Sequence, residues 1–347
     1  MENLRLLAFR DHKGIKSVSL PRGLDYLPEN LRYFSWDGYP LKSLPSTFSP
    51  EMLVQLSLKE SRVEKLWDGE MFIPFFVVWN CESLETVLSS MGKSYLKPNP
   101  RTVSLLNCKK LEPHSYHTVL KDAIAGIELE ARLNSGNEED NTIQYLLPAA
   151  MPGREYWSHY SSTQVSFTLE LPPNLLGFSY YLVLSQGHVG YLVDFGCDCH
   201  LDNISGQRIY IRSFPRVNIF TFGLFFNDDE NSIRIKSDHV ILWYDPISCK
   251  QIMEEIKAIN HVNGTGYNPK LTFTFFVNET LHDQVTIKEC GFRWIYHEET
   301  VSSTIFKSHD EDEETVPPTR KLQQRVFGTP VPSLELVETK GLRYLLE

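Results

Sequence analysis

Gly92-Lys93-Ser94 has the residue types that close a phosphate-binding loop, in which backbone amides and a lysine hold the phosphates of a nucleotide. That loop needs a glycine five residues before its second glycine, and Val87 stands there, so no nucleotide site is expected. Cys197-x-Cys199-His200 offers soft ligands, but alternation along a strand puts both thiols on one face, and no second pair lies at metal-site spacing. Filling of a strand interior is the plainer reading. His159, close to Glu155 and Trp157, has the side chain for acid–base work, yet no Gly-x-Ser-x-Gly nucleophile turn occurs, and a loop histidine is expected. The residues therefore predict no catalytic centre, no metal and no cofactor.

The balance of charge narrows the partners. Against 34 Lys and Arg stand 44 Asp and Glu, a net charge of −10 that repels nucleic-acid phosphate and anionic lipid. No basic cluster overrides it, so neither nucleic acid nor membrane is an expected partner. The longest apolar run, residues 71–79, is about half of what spans a bilayer. Six scattered cysteines fit a reducing compartment, and the start of the chain has no export-type apolar stretch. A cytoplasmic or nuclear location follows as an expectation.

The elements that would position any functional residue come from a repeat. Apolar residues recur as apolar-x-x-apolar-x-apolar at Leu4/Leu7/Phe9, Leu31/Phe34/Trp36, Leu53/Leu56/Leu58, Ile73/Phe76/Val78 and Pro100/Val103/Leu105. First positions at 4, 31, 53, 73 and 100 set coils of 27, 22, 20 and 27 residues, the range of leucine-rich repeats. Each coil supplies one short strand whose inward row is buried only when a neighbour stacks on it. After the strand the chain must turn, and Ser61, Asn80-Cys81 and Asn107-Cys108 provide the small side chains that satisfy turn amides.

The run Leu31-Arg32-Tyr33-Phe34-Ser35-Trp36-Asp37-Gly38-Tyr39-Pro40-Leu41-Lys42-Ser43-Leu44-Pro45, followed by Leu53-Val54-Gln55-Leu56 and Ser61-Arg62-Val63-Glu64-Lys65-Leu66-Trp67, resembles the leucine-rich repeats of plant intracellular immune receptors of the TIR-NB-LRR class. The resemblance implies recognition of a pathogen effector. It also implies that further coils normally intervene between Trp67 and Asn80, which makes this chain a shortened array. In that family NAD cleavage and nucleotide switching belong to domains this chain lacks, so the resemblance too implies no catalysis.

Residues 117–133 carry apolar side chains at helical spacing, and residues 134–141 read as a polar, mobile linker. Beyond it the period changes to two: Val165, Phe167, Leu169 and Leu171 alternate with polar residues. Similar strands are predicted at 178–184, 190–197, 208–214, 218–226, 233–244, 271–277 and 285–296, with one helix at 249–260. Eight such strands predict a β-sandwich. Pro152-Gly153-Arg154-Glu155-Tyr156-Trp157-Ser158-His159, Leu169-Glu170-Leu171-Pro172-Pro173-Asn174, Asp238-His239-Val240-Ile241-Leu242-Trp243-Tyr244 and Lys288-Glu289-Cys290-Gly291-Phe292-Arg293-Trp294 resemble the jelly-roll, Ig-like domain that follows the repeats in the same receptors, called C-JID or post-LRR.

The expected architecture is α+β: a short leucine-rich-repeat solenoid followed by an antiparallel β-sandwich of jelly-roll or Ig-like form. Its parts are repeats at 1–116, helix and acidic linker at 117–144, sandwich at 145–298, and an acidic, largely disordered tail at 299–347. On the concave side the register lines up Leu6/Tyr33/Gln55/Phe75/Thr102, Ala8/Ser35/Ser57/Val77/Ser104 and Arg10/Asp37/Lys59/Trp79/Leu106. Tyr33, Asp37, Lys59 and Trp79 are the expected protein contacts, against the alternative of a merely solvated face. Arg154, Glu155, Tyr156 and Trp157, in one sandwich loop, are a second set, with Trp157 equally suited to plug the core. The function expected is binding of a pathogen effector or a full-length immune receptor; the alternatives are a structural or regulatory product without a ligand, and a lectin-like module.

Overall fold

The computed structural model describes residues 4–9, 20–66, 73–87, 101–133, 142–149, 158–190, 194–202, 205–213, 232–263, 269–278, 285–297, 335–339 and 342–346. Among the described residues the fold is mixed α and β, mostly sheet, with two α-helices. Strands β1 (Leu6–Phe9), β2 (Tyr33–Asp37), β3 (Gln55–Lys59), β4 (Phe75–Trp79) and β5 (Thr102–Ser104) pair in parallel, each with the next in sequence. Their register joins Leu6 to Tyr33, Gln55, Phe75 and Thr102, the column expected from the apolar spacing. The pairing of β3 with β4 continues it without a slip.

The template positions are the core. Leu31, Phe34, Trp36, Leu53, Leu56, Leu58, Ile73, Phe76, Val78, Val103 and Leu105 are all buried. Each such side chain contributes roughly 1.5–3 kcal/mol on leaving water, which is what holds strands of three to five residues in place. The four coils whose turns are described reverse at a residue with positive φ: Gly38 (68°), Glu60 (53°), Asn80 (54°) and Asn107 (60°). Glycine and asparagine tolerate that conformation best. The next residue ties the coil back: Ser61 Oγ donates to the Trp36 carbonyl at 3.4 Å, and Cys108 Sγ to the Val78 carbonyl at 3.3 Å.

Helix α1 (Pro113–Leu133) begins four residues before the expected start, with proline at its first position, where no amide partner is needed. Tyr116, Val119, Leu120, Ala123, Ile127 and Ala131 form its buried stripe. The linker expected at 134–141 lies outside the described residues.

Strand β6 (Ile143–Pro148) follows and joins the two halves of the chain. It pairs in parallel with β5 (Thr102↔Gln144) and antiparallel with a strand of the second half. That half consists of β7 (Tyr160–Ser162), β8 (Ser166–Glu170), β9 (Leu175–Leu184), β10 (Gly187–Gly190), β11 (Asp194–Asp202), β12 (Arg208–Ser213), β13 (Ser232–Ile235), β14 (His239–Tyr244), α2 (Pro246–Asn263), β15 (Lys270–Asn278) and β16 (Ile287–Tyr296). The parallel ladder therefore runs on, as one sheet, through β6-β14-β9-β16-β7. A four-stranded sheet β12-β11-β15-β8 lies against it. Phe273 and Phe275 from that sheet meet Phe292 at ring separations of 4.6 and 5.6 Å, and Trp243 Nε1–H donates to Ser213 Oγ at 3.0 Å.

Two expectations are corrected. The strand predicted over 233–244 is two, β13 and β14, because the amide and the carbonyl of Lys236 bond Asn107 and Lys109 instead of a sheet neighbour. The helix predicted at 249–260 is longer: Asp245 caps α2 by accepting from the Ile247 and Ser248 amides. Within the stretch 299–347 the described residues are a hairpin, β17 (Glu335–Thr339) and β18 (Leu342–Leu346), with β18 antiparallel to β1; the rest of that stretch lies outside the described residues. The strand predicted at 218–226 lies outside the described residues.

Candidate recognition surface

Paired residues of neighbouring strands share a face, so register traces one row of side chains across the whole sheet. Tyr33, Gln55, Phe75, Thr102, Gln144, Trp243, Tyr180 and Phe292 form such a row. Ser35, Ser57, Val77, Ser104, Leu146, Ile241, Leu182 and Cys290 form the next. At their far ends these rows are interior, since Trp243, Tyr180 and Phe292 meet the four-stranded sheet. The open face of the ladder and the covered face of the second half are thus one surface.

Burial rises along that surface. On β2 and β3 the open-face residues Tyr33, Ser35, Asp37, Gln55, Ser57 and Lys59 are half-buried. On β4 only Phe75 remains so, and on β5 and β6 every residue is buried. Of the four expected contacts, Tyr33, Asp37 and Lys59 stand together on the half-open part, with Asp37 directly across from Lys59. Trp79 is the correction. It is 4% exposed, and its indole N–H donates to Ser104 Oγ at 2.8 Å, so it closes the covered end of the face. Arg154, Glu155, Tyr156 and Trp157 lie outside the described residues, as does Gly92-Lys93-Ser94.

Sequence comparison supplies the relatives. Disease resistance protein TAO1 of Arabidopsis thaliana is 34% identical over 114 residues, covering 32% of this chain and 10% of TAO1. Disease resistance protein RPS6 of the same plant is 56% identical over 59 residues, 17% of this chain and 5% of RPS6. Protein SUPPRESSOR OF npr1-1, CONSTITUTIVE 1, also from Arabidopsis, is 41% identical over 92 residues, 26% of this chain and 6% of the relative. The chain is related to TIR-NB-LRR disease-resistance proteins of plants. It spans a tenth or less of the length of these three relatives. No family model matches it, and no solved structure does.

In this resistance-protein relative the groups that suggested chemistry have structural partners. Cys197 and Cys199 are buried on one face of β11, and burial pushes both thiols up. His200, on the opposite face, meets the Tyr210 ring at 5.0 Å with the planes tilted by 50°, so the three side chains do not converge. His159 Nδ1 accepts the Trp294 amide at 3.0 Å while its own amide donates to the Phe292 carbonyl. That use fits the loop reading. Burial first, and the Arg293 guanidinium second, hold its pKa below the ordinary value. Among the described residues no helix is long and apolar enough to cross a membrane, and no group of three His, Cys, Asp or Glu gathers at metal-binding distance.

Sequence reasoning missed the joint between the halves. Asn107 Nδ2 donates to Asn80 Oδ1 and to the Arg234 carbonyl, both at 2.8 Å, and its Oδ1 accepts the Lys236 amide at 2.8 Å. The asparagine at the turn was legible; its partners, about 130 residues away, left no local signal.

Proposed function

We propose that this chain is a non-catalytic protein-recognition fragment of a plant intracellular immune receptor, acting in defense and working in the cytoplasm or nucleus. The parallel ladder with coils of 20–27 residues is read as a leucine-rich-repeat solenoid, and the two facing sheets as a jelly-roll, C-JID-like sandwich. Kinship with plant resistance proteins supports the immune role. The partner is a protein, either a pathogen effector or a full-length receptor. The observation that carries the reading is the cluster Tyr33, Asp37 and Lys59, half-buried among the described residues on β2 and β3 of the ladder face.

Tyr33 presents an apolar ring with a polar tip, the type that anchors interfaces, and the facing Asp37 and Lys59 set the orientation of a charged partner. The two strands β2 and β3, about 4.8 Å apart and five residues long, offer roughly 160 Å², well under the ~800 Å² each side of a standard interface. The partner therefore also leans on loops of the second half, where Arg154, Glu155, Tyr156 and Trp157 stand in the sequence.

The test is binding of the purified chain to candidate effectors and receptor fragments by surface plasmon resonance, with Tyr33→Ala and Lys59→Glu variants. Tenfold or greater weakening by each variant is expected, with no NAD turnover by the chain. Binding indifferent to both substitutions would move the interface elsewhere; no binding to any candidate would favour a structural or regulatory product.

A further inference from the structure

Each coil of the ladder closes on the next through one backbone bond made at its positive-φ residue. Gly38 N–H donates to the Lys59 carbonyl at 2.7 Å, Glu60 N–H to the Trp79 carbonyl at 2.8 Å, and Asn80 N–H to the Leu106 carbonyl at 2.8 Å. In each case the acceptor is the residue just before the next coil's own positive-φ residue. Asn107 is the last of the series, and its N–H donates at 2.9 Å to Nε2 of His239. An imidazole nitrogen here occupies the place of the next coil's carbonyl.

The tautomer is set by the other ring nitrogen. Nδ1 lies 2.7 Å from the Ser237 carbonyl, which only accepts, so Nδ1 carries the proton and Nε2 the lone pair. The side chain is fully buried at the first position of β14, between Pro148 of β6 and Leu184 of β9. We propose that His239 is an acid-sensitive latch: neutral, it fastens the second half of the chain to the last coil of the ladder, and protonated it releases that coil.

Protonation at Nε2 would set an N–H donor against the Asn107 N–H and leave that amide without an acceptor. The charged groups around the ring do not offset this. Lys109, from the ladder, opposes a positive imidazole, and its ammonium donates to the Lys236 carbonyl. Asp238, beside it in sequence, favours a positive imidazole but is paired with Lys288 of β16 at 2.6 Å and accepts the Gln186 amide. Lys236 is held by Glu82 at 2.8 Å. Burial is the largest influence, holding the imidazole pKa at about 4 against an ordinary 6.5. Between those values the released state binds the extra proton. The fastening is therefore complete above about pH 6.5 and weakens as pH falls towards 4.

The test uses the full chain with ¹⁵N-labelled histidine rings and hydrogen exchange followed from pH 7 to 4. After correction for intrinsic rates, opening at residues 105–112 should rise as pH falls below 6.5, approaching tenfold per pH unit around pH 5 and reaching about 150-fold by pH 4, and should level off as the His239 ring shifts of the folded chain titrate near pH 4. Exchange at β3 should stay level. His239→Gln, whose Oε1 accepts without titrating, should flatten the response. An imidazole already cationic at pH 7, or protection of Asn107 unchanged while the ring protonates, overturns the proposal. So does an equal acid response in His239→Gln. Should that variant not fold, the coupling of ring charge to Asn107 protection in the unsubstituted chain decides.

Discussion

Trp79 Nε1 lies 2.8 Å from Ser104 Oγ on the adjacent strand of the ladder, and the indole is buried over it. The pair marks where the open face ends. Trp79→Phe removes the donor while keeping most of the ring, and should cost about 1 kcal/mol. Ser104→Ala leaves a buried indole N–H without its acceptor and should cost about 1–3 kcal/mol. Urea unfolding monitored by circular dichroism measures both. Because Trp79 is not on the open part, Trp79→Phe should leave partner binding within twofold of the unsubstituted chain, unlike Tyr33→Ala.

Cys249 of α2 fills the space that a side chain at Gly177 would need. A Cβ there would lie 2.7 Å from Cys249 Sγ, and the same sulfur accepts the Phe178 amide at 3.4 Å. Gly177→Ala should destabilise by about 1–3 kcal/mol through overpacking. Cys249→Ala should also destabilise, by removing that acceptor. The double variant should be less destabilised than the sum of the singles, since the added methyl enters the vacated space. Additive losses in a denaturation cycle would show that the two sites do not share it.

How much of this could be read from residues alone depends on how far each cause lies along the chain. The ladder was legible because every coil repeats its own apolar spacing, and the turn residues Ser61, Cys81 and Cys108 sit at one offset from it. Strand β6 was not. All six of its residues are buried, so Ile143, Tyr145 and Leu147 alternate with Gln144 and Leu146 without the in-out pattern that betrays a half-exposed strand. Trp79 shows the same limit: its position in the coil equals that of Asp37 and Lys59, yet it is buried and bonded to Ser104 of the next strand, and the coil pattern does not distinguish the two environments. The split between β13 and β14 follows from bonds that Lys236 makes to Asn107 and Lys109, which no local pattern records.

Arg293 of β16 and Glu128 of α1 pair at 3.1 Å, with the two side chains 19% and 27% exposed, and the guanidinium also depresses the His159 pKa. Arg293→Gln should therefore raise the His159 pKa towards its ordinary value, and Glu128→Gln should lower it further. Ring-shift titration by NMR reads both signs. A His159 pKa that does not respond to Arg293→Gln would leave burial as the sole cause. Each substitution should cost about 0.5–1 kcal/mol at low ionic strength, less as salt is added.

Six cysteines are free and all are buried, so reactivity should report on folding and not on a redox site. Burial pushes the Cys249 and Cys290 thiols up to about 12, and Cys197, Cys199 and Cys108 are raised as well. Cys81 is the exception: contact with the Cys108 thiol lowers it, but it is fully buried. Since the thiolate is the nucleophile, iodoacetamide at pH 7.5 should leave the five raised thiols unmodified in the folded chain and label all six in urea. Cys81 separates two causes of protection. If it too stays unlabelled, burial governs; if it alone reacts, its acidity outweighs its burial and the turn at residues 80–82 opens without the rest of the ladder.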